Sequence, residues 1–168
     1  RQVSSAASDV YKRQPKSIWK IPKFGTINLH ASLLPDYRGS APINWVIINN
    51  EKQTGVTSFY IDENIDTGDI LLQEKIEIDS RITAGELHDK LKVLGASIIK
   101  KTIDGILHGK LNPVKQKKVS NLKTAYKFNK ENIQINWHES AVSIYNKIRG
   151  LNPFPGARTN LYSSSKIE

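Results

Sequence analysis

The chain has 168 residues, with 25 Lys and Arg against 16 Asp and Glu and a formal net charge of +9. With 38% hydrophobic and 24% charged residues it reads as a globular chain with a core, and no apolar run approaches the ~20 residues that span a bilayer. The absence of Cys excludes disulfides, a thiol nucleophile and thiolate metal ligation, and the absence of Met reads as the mark of an internal fragment.

Arg1 to Gln14 carries neither helical nor strand periodicity. Its last five residues, Val10-Tyr11-Lys12-Arg13-Gln14, back-translate to GTG TAT AAG AGA CAG, which resembles a transposon end used in preparing sequencing libraries. Residues 1–14 are therefore expected to be adapter-derived and are set aside from fold reasoning. Gly25 to His30 alternates, Ile27 and Leu29 on one face and Asn28 and His30 on the other, which predicts a strand presenting two polar groups together. Ser32 to Pro42 reads as a loop punctuated by Pro35, Gly39 and Pro42. Pro42 suits the first position of a short helix, Ile43 to Asn49. Thr57 to Ile61 and Ile70 to Ile78 read as strands, separated by the acidic loop Asp62 to Asp69.

Thr83 and Glu86 stand at capping-box spacing, and Ala84, Leu87, Leu91, Leu94 and Ile98 form an apolar stripe. A helix is predicted from Thr83 to about Leu107, stopped by Gly109. From Gly109 to Glu131 seven lysines stand against a single acid, Glu131, so a basic linker is expected rather than a core element. Ile133 to Trp137 reads as a short strand. Ser140 then caps a helix with Ala141, Ile144, Tyr145 and Ile148 on one face, before the turn-rich stretch from Gly150 to Gly156. Interleaved strands and helices in the first part predict an α/β layer structure.

Asn28 and His30, two apart on one strand, project together roughly 6–7 Å apart. An imidazole exchanges a proton near pH 7, and a carboxamide donates to a developing oxyanion without titrating. His30 needs a carboxylate to orient it, and Asp62, Glu63, Asp66 and Asp69 all qualify by position. Alone, such a polar pair at a strand end is more often structural. His88, His108 and His138 lack partners at ligand spacing, and no metal site is read. The lysines of residues 110–130 suit either an RNA backbone or a simply solvated linker. Arg38 suits either a phosphate or a brace for its loop.

Asn28-Leu29-His30-Ala31-Ser32-Leu33-Leu34-Pro35, then Tyr37-Arg38-Gly39 and Ala41-Pro42-Ile43, resembles the signature of 10-formyltetrahydrofolate-dependent formyltransferases. Thr54-Gly55-Val56-Thr57 and Ile65-Asp66-Thr67-Gly68-Asp69 match the same family in order, and the resemblance runs from about Pro15 to the end. It implies an α/β fold: the C-terminal half of a Rossmann-like catalytic domain over residues 15–109, a basic linker over 110–128, and the truncated start of an OB-like β-barrel domain over 129–168. Trp137, Arg149 and Asn152-Pro153-Phe154-Pro155 carry that last likeness.

The resemblance further implies Asn28, His30 and Asp66 as catalytic residues. Ser32, Leu33, Leu34 and Pro35 would line the folate site, and the acidic loop beginning at Asp62 would receive the pterin on its backbone. The implied formyl donor is 10-formyltetrahydrofolate, and the implied acceptor is an initiator methionyl-tRNA. Neither a metal, a membrane nor an obligate protein partner is implied, and a cytoplasmic location is expected. One alternative acceptor is a 4-amino-sugar nucleotide, since Asn44-Trp45-Val46 resembles that group as much. A non-catalytic RNA-binding module is the alternative of another class. The family's N-terminal half is expected to be missing, leaving strand edges exposed and the piece without activity of its own.

Overall fold

Pro15 precedes a single helical turn, α1 (Lys16–Trp19), at the start of a computed structural model that describes residues 15–117 and 120–160. The expected adapter, residues 1–14, lies outside the described residues. The alternating stretch forms β1 (Ile27–His30) as the pattern predicts. The punctuated loop contains a two-residue strand, β2 (Arg38–Gly39), and ends at α2 (Pro42–Ile48), with Pro42 in the first turn where its missing N–H costs nothing. Two long strands follow, β3 (Gln53–Tyr60) and β4 (Ile70–Glu77). They form an antiparallel sheet of order β1-β3-β4, with Leu29 opposite Ser58 and His30 opposite Thr57.

The long helix α3 (Ala84–Leu107) starts on the expected capping box. The Thr83 hydroxyl accepts from the Glu86 amide, and the Glu86 carboxylate accepts from the Thr83 amide at 2.8 Å. Its buried positions, Leu87, Leu91, Gly95, Ile98, Thr102 and Gly105, recur at helical spacing and lie against one face of the sheet. A Cβ at Gly95 would come within 2.6 Å of Leu29 Cδ2, and the Ser58 and Thr102 hydroxyls meet at 2.7 Å. Leu29 and Ser58 therefore face α3, while Asn28, His30 and Thr57 project from the opposite face by the two-residue period. Val46, Ile47, Val56, Leu87 and Leu91 form the centre of the core. None of the described helices is long and apolar enough to cross a membrane.

Four features depart from the sequence reading. First, β3 begins at Gln53 and passes through Gly55. Glycine is required there by space, since a Cβ would lie 2.1 Å from the Glu74 carbonyl oxygen and 2.6 Å from Leu33. Second, the segment expected as a linker rather than a core element is stitched to the preceding sheet and loops. Val114 exchanges both backbone bonds with Ile70, at 2.8 and 2.9 Å, and β5 (Thr124–Ala125) pairs in parallel with β2. Its described lysines are exposed, so its charge pattern reports the outer surface, whereas the fastening uses backbone, a few uncharged residues, among them the buried Ala125, and Lys123, which pairs with Glu51.

Third, Ile133 to Trp137 forms no strand but a single bridge, Gln134 to Arg158, because Asn136 turns the chain by accepting from the His138 amide. Fourth, α4 (Ala141–Gly150) is capped by Ser140 as expected yet buries Asn146, Arg149 and Gly150 rather than its apolar stripe. Tyr145 and Ile148 stay exposed. Arg149 donates to the Ile82 carbonyl at 2.9 Å, and Gly150 lets the helix approach α2, where a Cβ would meet Ile48 at 2.7 Å. Close approach and orphan carbonyls thus select the small and cationic face over the apolar one.

Candidate active site

The site sits on the sheet face opposite α3, where β1, the loop after it and the acidic loop between β3 and β4 converge. His30, at the end of β1, is 7% exposed. Its Nε2 lies 2.8 Å from the Tyr37 carbonyl oxygen. A carbonyl only accepts, so Nε2 carries the proton in the neutral ring and Nδ1 is the nitrogen left to act. Nδ1 stands 3.7 Å from Asp66 Oδ2.

Of the four carboxylates that position alone left open, only Asp66 meets the imidazole. Asp62 turns inward on its own loop, accepting from the Asn64 amide at 2.9 Å and the Thr67 hydroxyl at 2.6 Å. Glu63 pairs with Lys16 on the surface. Asp69 contributes its carbonyl to the Tyr60 amide. Asp66 adopts φ +52 and accepts at Oδ2 from the Gly39 amide at 2.9 Å, while Oδ1 has no hydrogen-bond partner among the described residues. Gly39 belongs at this contact for a backbone reason: its φ is +120, and a Cβ would lie 2.4 Å from the Ala125 carbonyl oxygen.

Asn28 is exposed on the same strand face, two residues from His30. Its Oδ1 accepts from the Leu29 amide at 2.8 Å, which leaves its Nδ2 hydrogens unpartnered among the described residues. The arrangement thus offers an amide donor, an imidazole with one fixed nitrogen and a carboxylate with one open oxygen. Such a set donates to a developing negative oxygen and relays a proton.

The segment Ser32 to Pro35 is pinned from beneath by β3 and β4. The Thr57 hydroxyl donates to the Ser32 carbonyl at 2.6 Å, and Gln73 Nε2 donates to the Leu34 carbonyl at 2.8 Å. Ser32 is wholly buried and Leu34 is 3% exposed. Those two side chains serve the interior, so a ligand would meet this segment through its backbone and through Leu33 and Pro35. Arg38, for which phosphate binding and bracing were both open, braces: its Nη2 donates to Gln116 Oε1 at 2.5 Å.

Tyr37, read only as part of the motif, and Gln116 were given no role by the sequence reading. Tyr37 acts through its carbonyl, to which side-chain identity gives no clue. Gln116 lies 50 residues from the acidic loop it touches, and its one signal was being an uncharged polar residue inside a lysine run. Tyr37 is also tied down at its ring end, where its hydroxyl donates to Glu51 at 2.5 Å and accepts from Asn49 at 3.1 Å. Burial first, and then the Glu51 hydrogen bond, push that hydroxyl well above the usual phenol range.

The remaining histidines lie elsewhere. His88 pairs with Asp89 on the surface, and His108 Nδ1 bonds the Asp104 carbonyl at the end of α3. No group of three or more His, Cys, Asp or Glu among the described residues is arranged to hold a metal ion.

Comparison with known proteins gives the family. The formyl transferase family model matches residues 11–103, and the model of the formyl transferase C-terminal domain matches residues 127–167. The methionyl-tRNA formyltransferase of Flavobacterium psychrophilum is 49% identical over 150 residues, 89% of this chain and 48% of that protein. That of Clostridium botulinum is 51% identical over 159 residues, 90% of this chain and 51% of that protein.

The chain therefore spans about half the length of the curated relatives it matches. Among solved structures, an N-formyltransferase from Helicobacter canadensis, in complex with folinic acid and dTDP-3-aminofucose, is 34% identical. Its TM-score is 0.66, covering 74% of this chain and 46% of that one. HypX from Aquifex aeolicus, in complex with tetrahydrofolic acid, shares the fold at 21% identity and a TM-score of 0.74, over 89% of this chain and 26% of its own. With more than half its length under the catalytic-domain model, and the C-terminal-domain model matching beyond it, this chain belongs to the formyl transferase family.

Proposed function

We propose that this chain is the central part of a methionyl-tRNA formyltransferase, which moves the formyl group of 10-formyltetrahydrofolate onto the amino group of initiator methionyl-tRNA. The observation that carries the reading is the approach of His30 Nδ1 to Asp66 Oδ2, beside Asn28, whose Nδ2 has no partner among the described residues. Relatives near 50% identity that bear this name support the acceptor, and folate-bound neighbours of the same fold support the donor.

The residues divide the work as follows. The donor supplies the formyl carbon. The backbone of Leu33 to Pro35 and of the loop beginning at Asp62 forms the walls that would hold its ring system. Asn28 Nδ2 donates to the formyl oxygen as negative charge develops there, a role worth about 3–4 kcal/mol for one such donor. Asp66 Oδ1, open to the site, takes the proton that the attacking amine must lose. His30, its far nitrogen fixed on the Tyr37 carbonyl, keeps Nδ1 beside that carboxylate and stabilises the proton until the departing nitrogen of the folate requires it. The chemistry needs no metal.

The same reading makes residues 15–109 the C-terminal half of the catalytic domain and 110–128 the basic connection. Residues 129–168 become the start of an OB-like barrel domain. Residues 1–14 are non-native in this reading. The exposed Lys110, Lys115, Lys117 and Lys130 suit the phosphates of an RNA acceptor, with affinity that falls as salt rises. The enzyme is cytoplasmic and needs no obligate protein partner.

The test compares acceptors in the full-length protein supplied with 10-formyltetrahydrofolate. Formylation of methionyl-tRNA but not of a dTDP-linked amino sugar is expected. Preference for the sugar nucleotide would overturn the acceptor, and turnover of neither would favour an RNA-binding module. Residues 15–168 alone are expected to give no turnover.

A further inference from the structure

Asp66 is held in an unusual place. Its φ of +52 lies in the left-handed region that residues with a Cβ rarely adopt, so the conformation persists only where the surroundings impose it. Within the loop, Asp62 fixes Asn64 and Thr67, and Gly39 fixes the Asp66 carboxylate. Among the described residues, the carbonyls of Asp66 and Gly68 are bonded by one side chain alone, that of Gln116. Its Nε2 donates to both, at 2.9 and 2.8 Å.

We infer that Gln116 is a positioning residue for Asp66. Its carboxamide, oriented by Arg38, clamps the acidic loop in the one conformation that brings the Asp66 carboxylate to His30. The inference rests on the formyl-transfer reading of the site and adds a residue to it.

The hydrogen-bonding inventory fixes the orientation. A guanidinium only donates and a carbonyl only accepts. Arg38, donating to Oε1 from Nη2 at 2.5 Å and from Nε at 3.2 Å, therefore turns Nε2 and both its hydrogens toward the loop. The support beneath is equally definite. Val114, two residues before Gln116, exchanges both backbone bonds with Ile70 just past the loop, which sets the register in which Gln116 arrives. Arg38 neighbours Tyr37 and Gly39, so one clamp joins the loop that fixes His30 Nε2 to the loop that carries its carboxylate.

The experiment uses the full-length enzyme with Gln116→Glu, which keeps the shape and the Arg38 pairing but offers oxygen where two carbonyls need a donor. Gln116→Met removes the donors without adding charge. Both are expected to lower kcat about 10- to 100-fold, since small misplacements of reacting groups cost that much. Both should also move the His30 imidazole 15N resonances in the direction that Asp66→Asn moves them.

In the Asp66→Asn background, Gln116→Met should cost nothing further, because it acts through the carboxylate already removed. Losses that multiply, with His30 resonances unmoved and only the thermal midpoint lowered, would overturn the clamp. So would wild-type kcat in both Gln116 variants while Asp66→Asn is inactive, an outcome that leaves the site reading standing. Wild-type turnover by Asp66→Asn would overturn the site reading and the clamp with it. Should the Gln116 variants not fold, Arg38→Met frees the carboxamide to rotate and is expected to shift the same resonances with a smaller loss of kcat. Unchanged resonances there would overturn the clamp.

Discussion

The carbonyl of Tyr37 accepts from Nε2 of His30 at 2.8 Å, so backbone rather than another side chain leaves Nδ1 as the imidazole's free nitrogen. The Tyr37 amide donates to the Lys123 carbonyl at 2.6 Å, which fastens that backbone to the lysine-rich segment. His30→Ala in the full-length enzyme is expected to lower kcat by about 10²–10⁴-fold, the usual worth of a positioned acid–base group. Steady-state turnover of methionyl-tRNA measures it. A variant within threefold of the parent would remove His30 from the mechanism.

Asn28 gives a separable prediction. Its Oδ1 is occupied by the Leu29 amide and its Nδ2 has no partner among the described residues. Asn28→Asp replaces the donor with an acceptor at unchanged size, and should lower kcat about 10²–10³-fold with little change in the KM of either substrate. A rise in KM at constant kcat would instead make Asn28 a ground-state binding residue.

Much of this was legible in the sequence, for reasons that differ by element. The period of two in residues 27–30 dictates that Asn28 and His30 share a face, and the Thr83–Glu86 spacing dictates where α3 begins. The choice of Asp66 among four acids was not legible physically, because it depends on a positive φ and on an amide from Gly39, 27 residues away. The fastening of residues 114–125 was hidden by lysines, whose charge describes the outer surface while backbone pairing, the Gln116 carboxamide and the Lys123–Glu51 pair do the holding. The exposed stripe of α4 misled for a related reason: a buried Arg149 with carbonyl partners outweighs Tyr145 and Ile148 in setting which face docks.

Tyr37 also sets a pH dependence. Burial and the Glu51 hydrogen bond raise its hydroxyl above the ordinary phenol range, so the folded state favours the neutral form. The stabilisation is fully present below the unfolded phenol range and is lost as pH rises above it, where the unfolded chain ionises first. Thermal midpoints from pH 8 to 11 should fall at the alkaline end, and Tyr37→Phe should flatten that fall. The same substitution costs about 1 kcal/mol at neutral pH through the lost hydrogen bonds. An equally steep alkaline fall in Tyr37→Phe would assign it to other groups.

The α3 cap responds at the opposite end of the scale. Bonds from the Thr83 amide and hydroxyl hold the Glu86 carboxyl below its usual range. Its contribution is present above the unfolded carboxylate range and is lost as pH falls through the lowered folded value. Thr83→Ala should destabilise the fold by about 1 kcal/mol at neutral pH. Glu86→Gln, which removes the ionising group while the Thr83 amide and hydroxyl remain, should reduce the acid sensitivity of the thermal midpoint, which scanning calorimetry from pH 3 to 7 would read. Unaltered acid sensitivity would uncouple Glu86 from stability.

Two glycines separate the effect of space from that of backbone conformation. At Gly68 a Cβ would lie 1.6 Å from the Tyr60 carbonyl oxygen, a backbone atom that cannot yield without disturbing β3. Gly68→Ala must therefore shift the loop, and Asp66 two residues earlier shifts with it. Turnover should fall by about 10²-fold or more even where the protein still folds. At Gly109 the φ is +62 but nothing lies within 4 Å of the Cβ position, so Gly109→Ala should cost about 1 kcal/mol of stability and leave turnover unchanged. Comparable turnover losses at both positions would mean that general destabilisation, rather than displacement of the Asp66 loop, governs activity here.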